Sequence, residues 1–273
     1  MDKGIIIVSK TKREANYKMP EMHMHDYHEM LYVFSGHCNI FVNKELYDVP
    51  PGYIIILPAG YIHKTTYTDK SATTRFVIRF TQKDLELLAD KIGMDKIDEI
   101  MSQTVHIIPE QRREYVERIM DLMKYENDLQ DDLSASFNDI HFQELMLFLI
   151  RSSQQDDDIL EKVVIENNII KEVADYIYLN YDKPITLDDM AYKFNVSRSY
   201  LSKKFKSVTG VGFKAYLISV RIQAACTRLL ESDDSITQIA IECGFNDSNY
   251  FGDAFRHCKG MSPAKYRKSN VGI

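Results

Sequence analysis

Paired cysteines and long apolar runs are both missing from this sequence. The four cysteines, Cys38, Cys226, Cys243 and Cys258, are scattered without a CxxC pair, which is typical of reduced thiols rather than of a disulfide framework. We expect each to be a small buried side chain. The opening residues hold an apolar run too short for an export signal, and no run is long enough to span a membrane. The sequence therefore predicts a cytoplasmic protein.

Charge is unevenly divided along the chain. The 273 residues are enough for two compact domains, and the net charge of -6 argues against nucleic-acid binding if it is taken over the whole chain. From Asn167 onward, however, 15 Lys and Arg stand against 11 Asp and Glu, or +4, which leaves 19 against 29, or -10, for the first 166 residues. Only the contacting face needs positive potential, so the C-terminal third remains a candidate nucleic-acid binder.

The first part of the chain, about residues 1–81, has the pattern of β-strands. Its apolar segments are rich in β-branched and aromatic residues and are separated by turn residues: IIIV, EMLYVF, NIFV, YIIIL and RFVIRF. This pattern predicts an antiparallel barrel or sandwich.

Helical periodicity follows, over about residues 82–152. The segment Arg112 to Arg151 predicts two helices broken near Asp128 to Ser134. Their apolar stripes are Val116, Ile119, Met120 and Met123, then Ile140, Leu145, Phe148 and Leu149. Part of this hairpin must cover the barrel. The polar stretch SSQQDDD predicts a surface linker, so we divide the chain into a domain at 1–158, a linker at 159–166 and a domain at 167–273.

Two segments near the C-terminus share one layout of short helix, tight turn and second helix. They are TLDDMAYKFNVSRSYLSKKF and SITQIAIECGFNDSNYFGDAF, at about 186–207 and 235–257. Ala191 and Ala240 supply the small residue that a helix crossing needs. Asn195 and Gly244 occupy the turns, where a left-handed backbone suits both residue types. Each segment therefore predicts a helix-turn-helix unit.

The second helix of the first unit has one apolar and one polar face. Ser197 is placed to cap it, as Asp247 and Ser248 are for the second unit. Leu201 and Phe205, spaced i, i+4, should face inward, as should Phe251 and Phe255. The outer face then carries residues that can bond to bases and phosphates: Ser199, Ser202, Lys203 and Lys206, flanked by Arg198 and Lys204.

These units resemble the AraC-type transcription regulators over about a hundred residues. The resemblance rests on VSRSYLSKKFKSVTGVGFKAYLISVRIQAACTRLLESDDSITQIAIECGFNDSNYFGDAFRHCKGMSPAKYR, including the closing Gly260, Ser262-Pro263 and Tyr266-Arg267. It implies an all-α DNA-binding domain whose two units are joined by a long helix, here Gly212 to Glu231. The two recognition helices are then expected to enter successive major-groove segments about 34 Å apart. Further candidate DNA-contacting residues are Arg221, Ser248, Asn249, Asp253 and Arg256.

The second recognition helix departs from the family pattern at Gly252 and Asp253, where a small polar residue and then an arginine are common. Glycine inside a helix costs about 1 kcal/mol relative to alanine. Asp253 repels phosphate unless it accepts a bond from cytosine N4. We hypothesise that the first unit dominates the affinity, while the second reads a narrower or cytosine-containing site.

The N-terminal part resembles the cupin barrel, a double-stranded β-helix, through HMHDYHEMLYVFSG and GYIIILPAGYIH. His23, His25, Glu29 and Gly36 match the first cupin motif. The second is matched by Gly52, Pro58, Gly60 and His63, with Tyr67 where the family usually has asparagine. The resemblance implies a two-domain α+β chain, in which a cupin-like barrel and helical hairpin precede the helix-turn-helix domain.

Two interpretations of the barrel histidines stay open. In metal-binding cupins, His23, His25, Glu29 and His63 would be ligands, and imidazole with carboxylate suits a divalent metal. AraC-type sensor domains often keep such residues without being metalloenzymes, so we expect no cofactor. The four residues would then orient a small polar ligand at the barrel mouth. Tyr27 and Tyr32 lie nearby in sequence and could stack on a sugar ring.

Three functions fit these patterns. The first is a regulator, not an enzyme, whose DNA binding responds to a small polar ligand, with carbohydrate suggested by the family resemblance. The second is a metal-dependent cupin enzyme with a DNA-binding appendage. The third is a regulator whose barrel serves only for dimerisation. In AraC-type sensors the helical hairpin commonly forms the dimer contact, so we expect a homodimer on double-stranded DNA, with RNA polymerase as a partner if the protein activates.

Overall fold

The computed structural model describes residues 6–15, 17, 19, 21–42, 44–67, 72–153, 164–165 and 167–270. Among these residues, a β-rich N-terminal part is followed by four helices, with one short strand between the second and the third, and then by a C-terminal part made of helices alone. The predicted two-domain α+β class, with a cupin-like barrel first, is therefore confirmed. Within the described ranges, none of the helices combines the length and the apolar character needed to cross a membrane.

In the described part of the chain, eight strands form two antiparallel sheets. The strands are β1 (Ile7–Arg13), β2 (His28–Ser35), β3 (Cys38–Val42), β4 (Glu45–Val49), β5 (Tyr53–Leu57), β6 (His63–Thr66), β7 (Thr73–Phe80) and β8 (Val105–Ile107). The larger sheet has the order β1-β7-β2-β5-β8, and the smaller has the order β4-β3-β6. Sequence patterns located β2, β3, β5 and β7 and the start of β1, but missed β4, β6 and β8, which are short or polar.

Alternation along β2 separates the barrel interior from the helical layer, because successive side chains of a strand point to opposite faces. Leu31 and Val33 join the core between the two sheets. Met30 and Tyr32 join a second core, which lies between the larger sheet and the helices that follow. Glu29 shares the inward face with Leu31 and is therefore aimed into the barrel.

Four helices cover the outer face of the larger sheet: α1 (Gln82–Ile92), α2 (Met94–Ser102), α3 (Glu110–Leu129) and α4 (Ser134–Ser153). The last two form the predicted hairpin, and its break falls where the polar residues predicted it. The predicted stripe of α3 is fully buried. On α4, Leu145 and Leu149 are buried whereas Ile140 is 59% exposed, so part of the α4 stripe faces away from the barrel.

The C-terminal helical part contains α5 (Asn168–Asn180), α6 (Leu187–Lys193), α7 (Arg198–Thr209), α8 (Phe213–Glu231), α9 (Ile236–Glu242), α10 (Ser248–Lys259) and α11 (Pro263–Asn270). Helix α8 is the predicted long helix between the two units. Residues 154–163 of the predicted linker region lie outside the described residues. The end of that region runs along β4, where Ile165 donates a backbone hydrogen bond to Leu46.

The core of the C-terminal part continues into the barrel. Met24, Phe41 and Ile62 from the barrel belong to the same buried cluster as the helices. The ring of Phe41 meets that of Tyr216 on α8 edge to face, with centroids 5.9 Å apart. The barrel is therefore docked on the helical part through apolar contact.

Candidate DNA interface and barrel site

The first helix-turn-helix unit is held by caps at both of its helices. At the start of α6, the Thr186 hydroxyl accepts a bond from the backbone N–H of Asp189 at 3.1 Å, and the Asp189 carboxylate accepts one from the N–H of Thr186 at 3.0 Å. Asn195 takes the left-handed backbone at φ 53° in the turn. Ser197 then caps α7 by accepting from the N–H of Tyr200 at 3.2 Å. The chain reverses where these residues predicted a turn.

Helix α7 presents a polar face opposite its buried one. Leu201 and Phe205 are fully buried. On the other side, Ser199, Ser202, Lys203 and Lys206 are exposed and Lys204 is half-buried. Arg198, at the helix start, pairs with Asp188 at 3.0 Å in an exposed contact. Such a surface ion pair contributes little to stability, so the guanidinium can exchange it for a phosphate.

The second unit repeats this construction. Ser235 caps α9 and accepts from the N–H of Gln238 at 3.1 Å, and Asp247 caps α10 by accepting from the N–H of Asn249 at 2.8 Å. Gly244 lies in the turn at φ 81°, and a Cβ there would stand 2.7 Å from the Tyr181 carbonyl oxygen. No larger residue fits that turn without a backbone shift.

Helix α10 presents a polar face with charges of both signs. Its exposed residues include Ser248, Asn249, Asp253 and Arg256. Asp253 forms an ion pair with Arg256 one turn later. The acidic side chain is thus partly neutralised within its own helix, which lessens its repulsion of a phosphate.

Arg221, expected from the resemblance to contact DNA, is engaged within the protein. Its Nε donates to the carbonyl oxygen of Tyr181 and its Nη2 to that of Lys183, both at 2.8 Å. The guanidinium also lies over the Phe245 ring, 5.8 Å from the centroid. Two of its five N–H donors are thus bound to backbone carbonyls, and Arg221 links α8 to the connection between α5 and α6.

Inside the barrel, His25, Glu29 and His63 converge in what we call the histidine–glutamate cluster. One ligand-type atom from each lies within 4.8 Å of the others. The His25 Nε2 stands 3.6 Å from a Glu29 oxygen. The His23 ring lies beside them, with its centroid 4.1 Å from that of His63. The four residues that the sequence grouped are thus brought together.

Backbone carbonyls orient two of these imidazoles. The Nδ1 of His25 lies 2.6 Å from the carbonyl oxygen of Tyr27, and the Nδ1 of His63 lies 2.9 Å from that of Tyr61. A carbonyl oxygen only accepts, so each Nδ1 carries the proton and each Nε2 presents a lone pair. Both Nε2 atoms are buried without a hydrogen-bond partner among the described residues.

Burial keeps the histidines neutral. It lowers the pKa of His25 to about 4, and that of His63 well below the usual value. The pKa of His23 is lowered for the same reason. Burial also raises the pKa of Glu29, although Arg75 and Arg79 oppose this effect. The imidazoles are therefore desolvated neutral acceptors, and the ion pair of the cluster is the one between Glu29 and Arg79, 3.8 Å apart.

The two tyrosines predicted for this site take different positions. The Tyr27 ring stacks on His25, with centroids 3.9 Å apart, and lies under the Arg79 guanidinium. Tyr32 is on the opposite face of β2, where its hydroxyl donates to the Glu117 carboxylate at 2.6 Å. The prediction that Tyr32 lines the barrel pocket is corrected, because an odd separation from Glu29 puts it on the helical side of the sheet.

Two protein-family models match this sequence. A model of the AraC-like ligand binding domain covers residues 7–145, just over half of the chain, and a helix-turn-helix domain model covers residues 190–269. The chain belongs to the AraC family of transcription regulators. The family resemblance predicted from the residues is therefore confirmed.

Relatives of this AraC-type regulator match nearly its full length. The HTH-type transcriptional activator RhaS of Shigella sonnei is 29% identical over 262 residues, 93% of this chain and 89% of that one. An HTH-type transcriptional regulator of Bacillus subtilis, YdeC, is 23% identical over 255 residues, 91% of this chain and 86% of that one.

Two solved structures that match this chain are ToxT and a domain of AraT. ToxT from Vibrio cholerae is 14% identical over 98% of this chain and 99% of that one, with a TM-score of 0.40. The C-terminal domain of AraT from Geobacillus stearothermophilus is 32% identical over 38% of this chain and 86% of that one, with a TM-score of 0.37.

The sequence patterns missed the polar contacts that join the two parts of this AraC-type regulator. Lys64 donates to the Gly210 carbonyl oxygen at 2.8 Å, and Gln223 donates to that of Gly60 at 2.8 Å. Asp26 accepts from Lys259 at 2.6 Å. Partners separated by more than 140 positions leave no local pattern, although a lysine on the apolar face of a short strand is itself unusual.

Proposed function

We propose that this AraC-type regulator binds double-stranded DNA sequence-specifically and that a small polar ligand in the barrel modulates this binding. The exposed face of α7, which carries serine and lysine side chains opposite fully buried Leu201 and Phe205, supports the DNA assignment most directly. Serine bonds to several base edges, and lysine reaches guanine or phosphate. Since DNA is the target, we also propose that the protein acts in the cytoplasm.

The DNA assignment is tested by binding of the full chain to the DNA upstream of its own and neighbouring genes. Replacing Lys203 by alanine should weaken binding and lower the slope of log K against log salt by about one unit, because one phosphate or base contact is lost. Lys96→Ala is the matched control, since Lys96 is an exposed lysine on α2 of the sensor part. Binding that ignores salt and sequence would contradict the proposal.

The polar groups of the barrel support a polar ligand. A few buried donors and acceptors in an apolar setting orient a small molecule and exclude apolar competitors. A thermal-shift screen of the purified protein against sugars and related metabolites is the direct test. A hit should also change DNA affinity, and its effect should be lost in His25→Ala but kept in His37→Ala, which alters a histidine in the turn between β2 and β3.

We further propose that the hairpin α3–α4 joins two chains in a homodimer. Its outer face exposes a row of large apolar side chains, and Ile140, Phe137 and Leu147 are 59%, 44% and 44% exposed. An apolar row of this kind marks an interaction surface. A two-fold dimer would present four recognition helices to paired half-sites.

The dimer is tested by sedimentation of the full chain at micromolar concentration. Ile140→Glu should convert a dimer into a monomer, because a charge would be buried in the apolar contact. Ile241→Glu is the matched control, since Ile241 is equally exposed at 59% but lies on α9. A wild-type monomer, or equal effects of both variants, would remove this proposal.

RNA polymerase is proposed as a partner because the RhaS and RhaR relatives are named as transcriptional activators. Activation requires that the bound regulator recruit or reposition the polymerase. In vitro transcription from the same upstream DNA, with and without the protein, distinguishes an activator from a repressor.

A further inference from the structure

A buried arginine inside the barrel has no ion-pair partner among the described residues. Arg75 lies on β7 opposite Thr11 of β1 and Val33 of β2, so its side chain shares the inward face with Val33, and it is 6% exposed. The Glu29 carboxylate pairs with Arg79 instead, and Arg75 donates a long hydrogen bond of 3.4 Å to the Thr11 hydroxyl. A guanidinium taken out of water is costly unless an anion compensates its charge.

Arg75 belongs to a group of hydrogen-bond donors, which we call the donor end of the barrel: Arg75, Tyr67 and Arg13. The Arg75 guanidinium lies over the Tyr67 ring, 5.7 Å from its centroid, and Tyr67 is 1% exposed. The Tyr67 hydroxyl and the Nε of Arg13 are both buried without a hydrogen-bond partner in the described part of the chain. Burial raises the pKa of Tyr67 to about 12, although the positive charges of Arg75 and Arg13 oppose this effect. Both guanidinium groups are therefore close to the hydroxyl.

The histidine–glutamate cluster presents the opposite chemistry. The Nε2 atoms of His25 and His63 carry lone pairs because backbone carbonyls hold the Nδ1 protons, and Glu29 adds carboxylate oxygens. The charge of Arg75 reaches this cluster as well. Burial lowers the pKa of His63 most and Arg75 lowers it further, while Arg75 opposes the effect of burial on the pKa of Glu29. The donor end and the cluster thus face the same barrel interior, with Arg75 close to both.

A ligand that satisfies both ends must be an anion at one end and a hydroxyl donor at the other. A guanidinium binds a carboxylate through two parallel N–H bonds, and a phenol O–H donates to the same group. Neutral imidazole Nε2 atoms accept from hydroxyl groups. A neutral sugar brings no anion to Arg75, and an alkyl carboxylate leaves the imidazoles without donors. Glu29 repels a second carboxylate, which directs the acidic group of the ligand to the donor end.

From these observations we propose that the barrel binds a small hydroxycarboxylate, such as a sugar acid. Arg75 and Tyr67 hold its carboxylate, and its hydroxyl groups donate to His25 and His63. The inference rests on the proposed function, because it names the chemical class of the polar ligand proposed there. Ligand binding is measured without DNA, so the two can fail separately.

The first experiment compares matched probes by isothermal titration calorimetry of the full chain. D-gluconate is paired with D-sorbitol and D-galacturonate with D-galactose, so that the members of each pair differ in the acidic group. Hexanoate carries the acid without hydroxyl groups, and glycerol phosphate carries a different anion. At least one hydroxycarboxylate should bind about tenfold or more tightly than its neutral counterpart, because hydrogen bonds to a charged group are lost with the carboxylate.

The second experiment repeats the titrations with variants of the donor end. Arg75→Gln should abolish the preference for the acid, and Tyr67→Phe, which removes the hydroxyl alone, should reduce it several-fold. Lys96→Gln is the matched control, since it removes an exposed cation on α2, and it should bind like wild type. Thermal unfolding without ligand separates a ligand anchor from a structural arginine. Arg75→Gln should unfold no lower than wild type, because it removes a buried charge that lacks an anionic partner.

Each outcome decides one step. No binding by either hydroxycarboxylate, or equally tight binding of hexanoate or glycerol phosphate, would overturn the assignment to this class. A lower unfolding midpoint of Arg75→Gln with an unchanged preference for the acid would make the arginine structural and overturn it too. A neutral sugar whose binding is lost in His25→Ala but kept in Arg75→Gln would overturn the inference and leave the proposed function standing. A hydroxycarboxylate that binds as expected yet leaves the DNA affinity unchanged would instead contradict the proposed function.

Discussion

Arg221 and Lys206 provide a sharp test of which cations face DNA. The Arg221 guanidinium donates two bonds of 2.8 Å to backbone carbonyls, whereas Lys206 is exposed on α7. A hydrogen bond from a charged donor contributes about 1.5–3 kcal/mol. Because Arg221 is only half-buried, we expect Arg221→Ala to lower the free energy of unfolding by about 3 kcal/mol in total.

The two variants should separate stability from DNA contact. Arg221→Ala should unfold at a lower urea concentration, followed by circular dichroism, while protein that is still folded keeps the wild-type salt slope. Lys206→Ala should unfold like wild type but show a salt slope smaller by about 0.9, the value for one lost phosphate contact. Arg221→Lys keeps the charge but not the planar fork, so it should recover little of the stability.

The opposite result would refute this reasoning. If Arg221→Ala unfolded at the wild-type urea concentration and lost a full unit of salt slope, the bonds to Tyr181 and Lys183 would be dispensable and the arginine would be a phosphate contact, as the family resemblance suggested. If Arg221→Ala changed both the unfolding midpoint and the salt slope by intermediate amounts, we would measure the double variant with Lys206→Ala. The effects of independent sites on each quantity add, so a non-additive result would show that the two residues act together.

Other predictions concern the helices and one buried histidine. Gly252→Ala should stabilise the protein by about 1 kcal/mol, because a Cβ there meets nothing within 4 Å; Gly210→Ala should instead lower the melting temperature, since φ is 78° and its Cβ would lie 2.7 Å from Lys64. Equal shifts would contradict this. Asp253→Ala should change the preferred base at one position in a competition assay over a DNA library; unchanged affinity and preference would exclude base contact by Asp253. Burial lowers the pKa of His106 to about 4, so the unfolded chain binds the extra proton and stability falls as pH drops from 6.5 toward 4. His106→Gln should therefore lose about 2 kcal/mol less than wild type between pH 7 and pH 4.5, a difference that urea unfolding at the two pH values measures.

Local rules located the helix-turn-helix units because every feature they need is within a few residues. Ser197 caps the helix that follows it, and Asn195 takes the left-handed turn. The i, i+4 pairs Leu201 with Phe205 and Phe251 with Phe255 are buried as their spacing predicted. Each of these depends on backbone geometry over one or two turns, which the sequence determines by itself.

The alternation of side chains along β2 determines which of them face into the barrel, and residues that are close in sequence need not share a face. Glu29 and Tyr32 are three positions apart, so a single strand sends them to opposite faces, and Tyr32 accordingly bonds to Glu117 on α3. His63 joined the cluster although β6 was not predicted as a strand, because the cupin motif placed it there. Closeness in sequence therefore did not predict which side chains share the barrel interior. An even separation along the strand, which puts two side chains on the same face, predicts this correctly.

Contacts between residues far apart in sequence could not be predicted, since they depend on how separate elements and separate folds pack against one another. The Arg221 bonds and the Lys64 bond to Gly210 join residues about 40 and 146 positions apart. Neither partner carries a pattern that names the other. Only the burial of Lys64, at 4% exposure, sets it apart from an ordinary surface lysine.

Docking of the barrel leaves the faces proposed to contact DNA open while it holds the opposite ends of both recognition helices. Ser199, Ser202 and Lys203 stay exposed in the docked arrangement. The bonds of Lys64 and Asp26 reach the ends of α7 and α10 and the Tyr266 hydroxyl on α11. An effector that shifts residues 22–26 and 62–64, which hold these contacts, would therefore change the spacing and angle of the two helices rather than uncover them. Two helices that read successive major-groove segments must stand about 34 Å apart. If this spacing shifts, the second helix-turn-helix unit would lose its contacts with DNA while the first unit stays bound. Adding the effector should then change both the DNA affinity and the salt slope. The decrease in slope should correspond to the number of phosphates that α10 contacts and to no more.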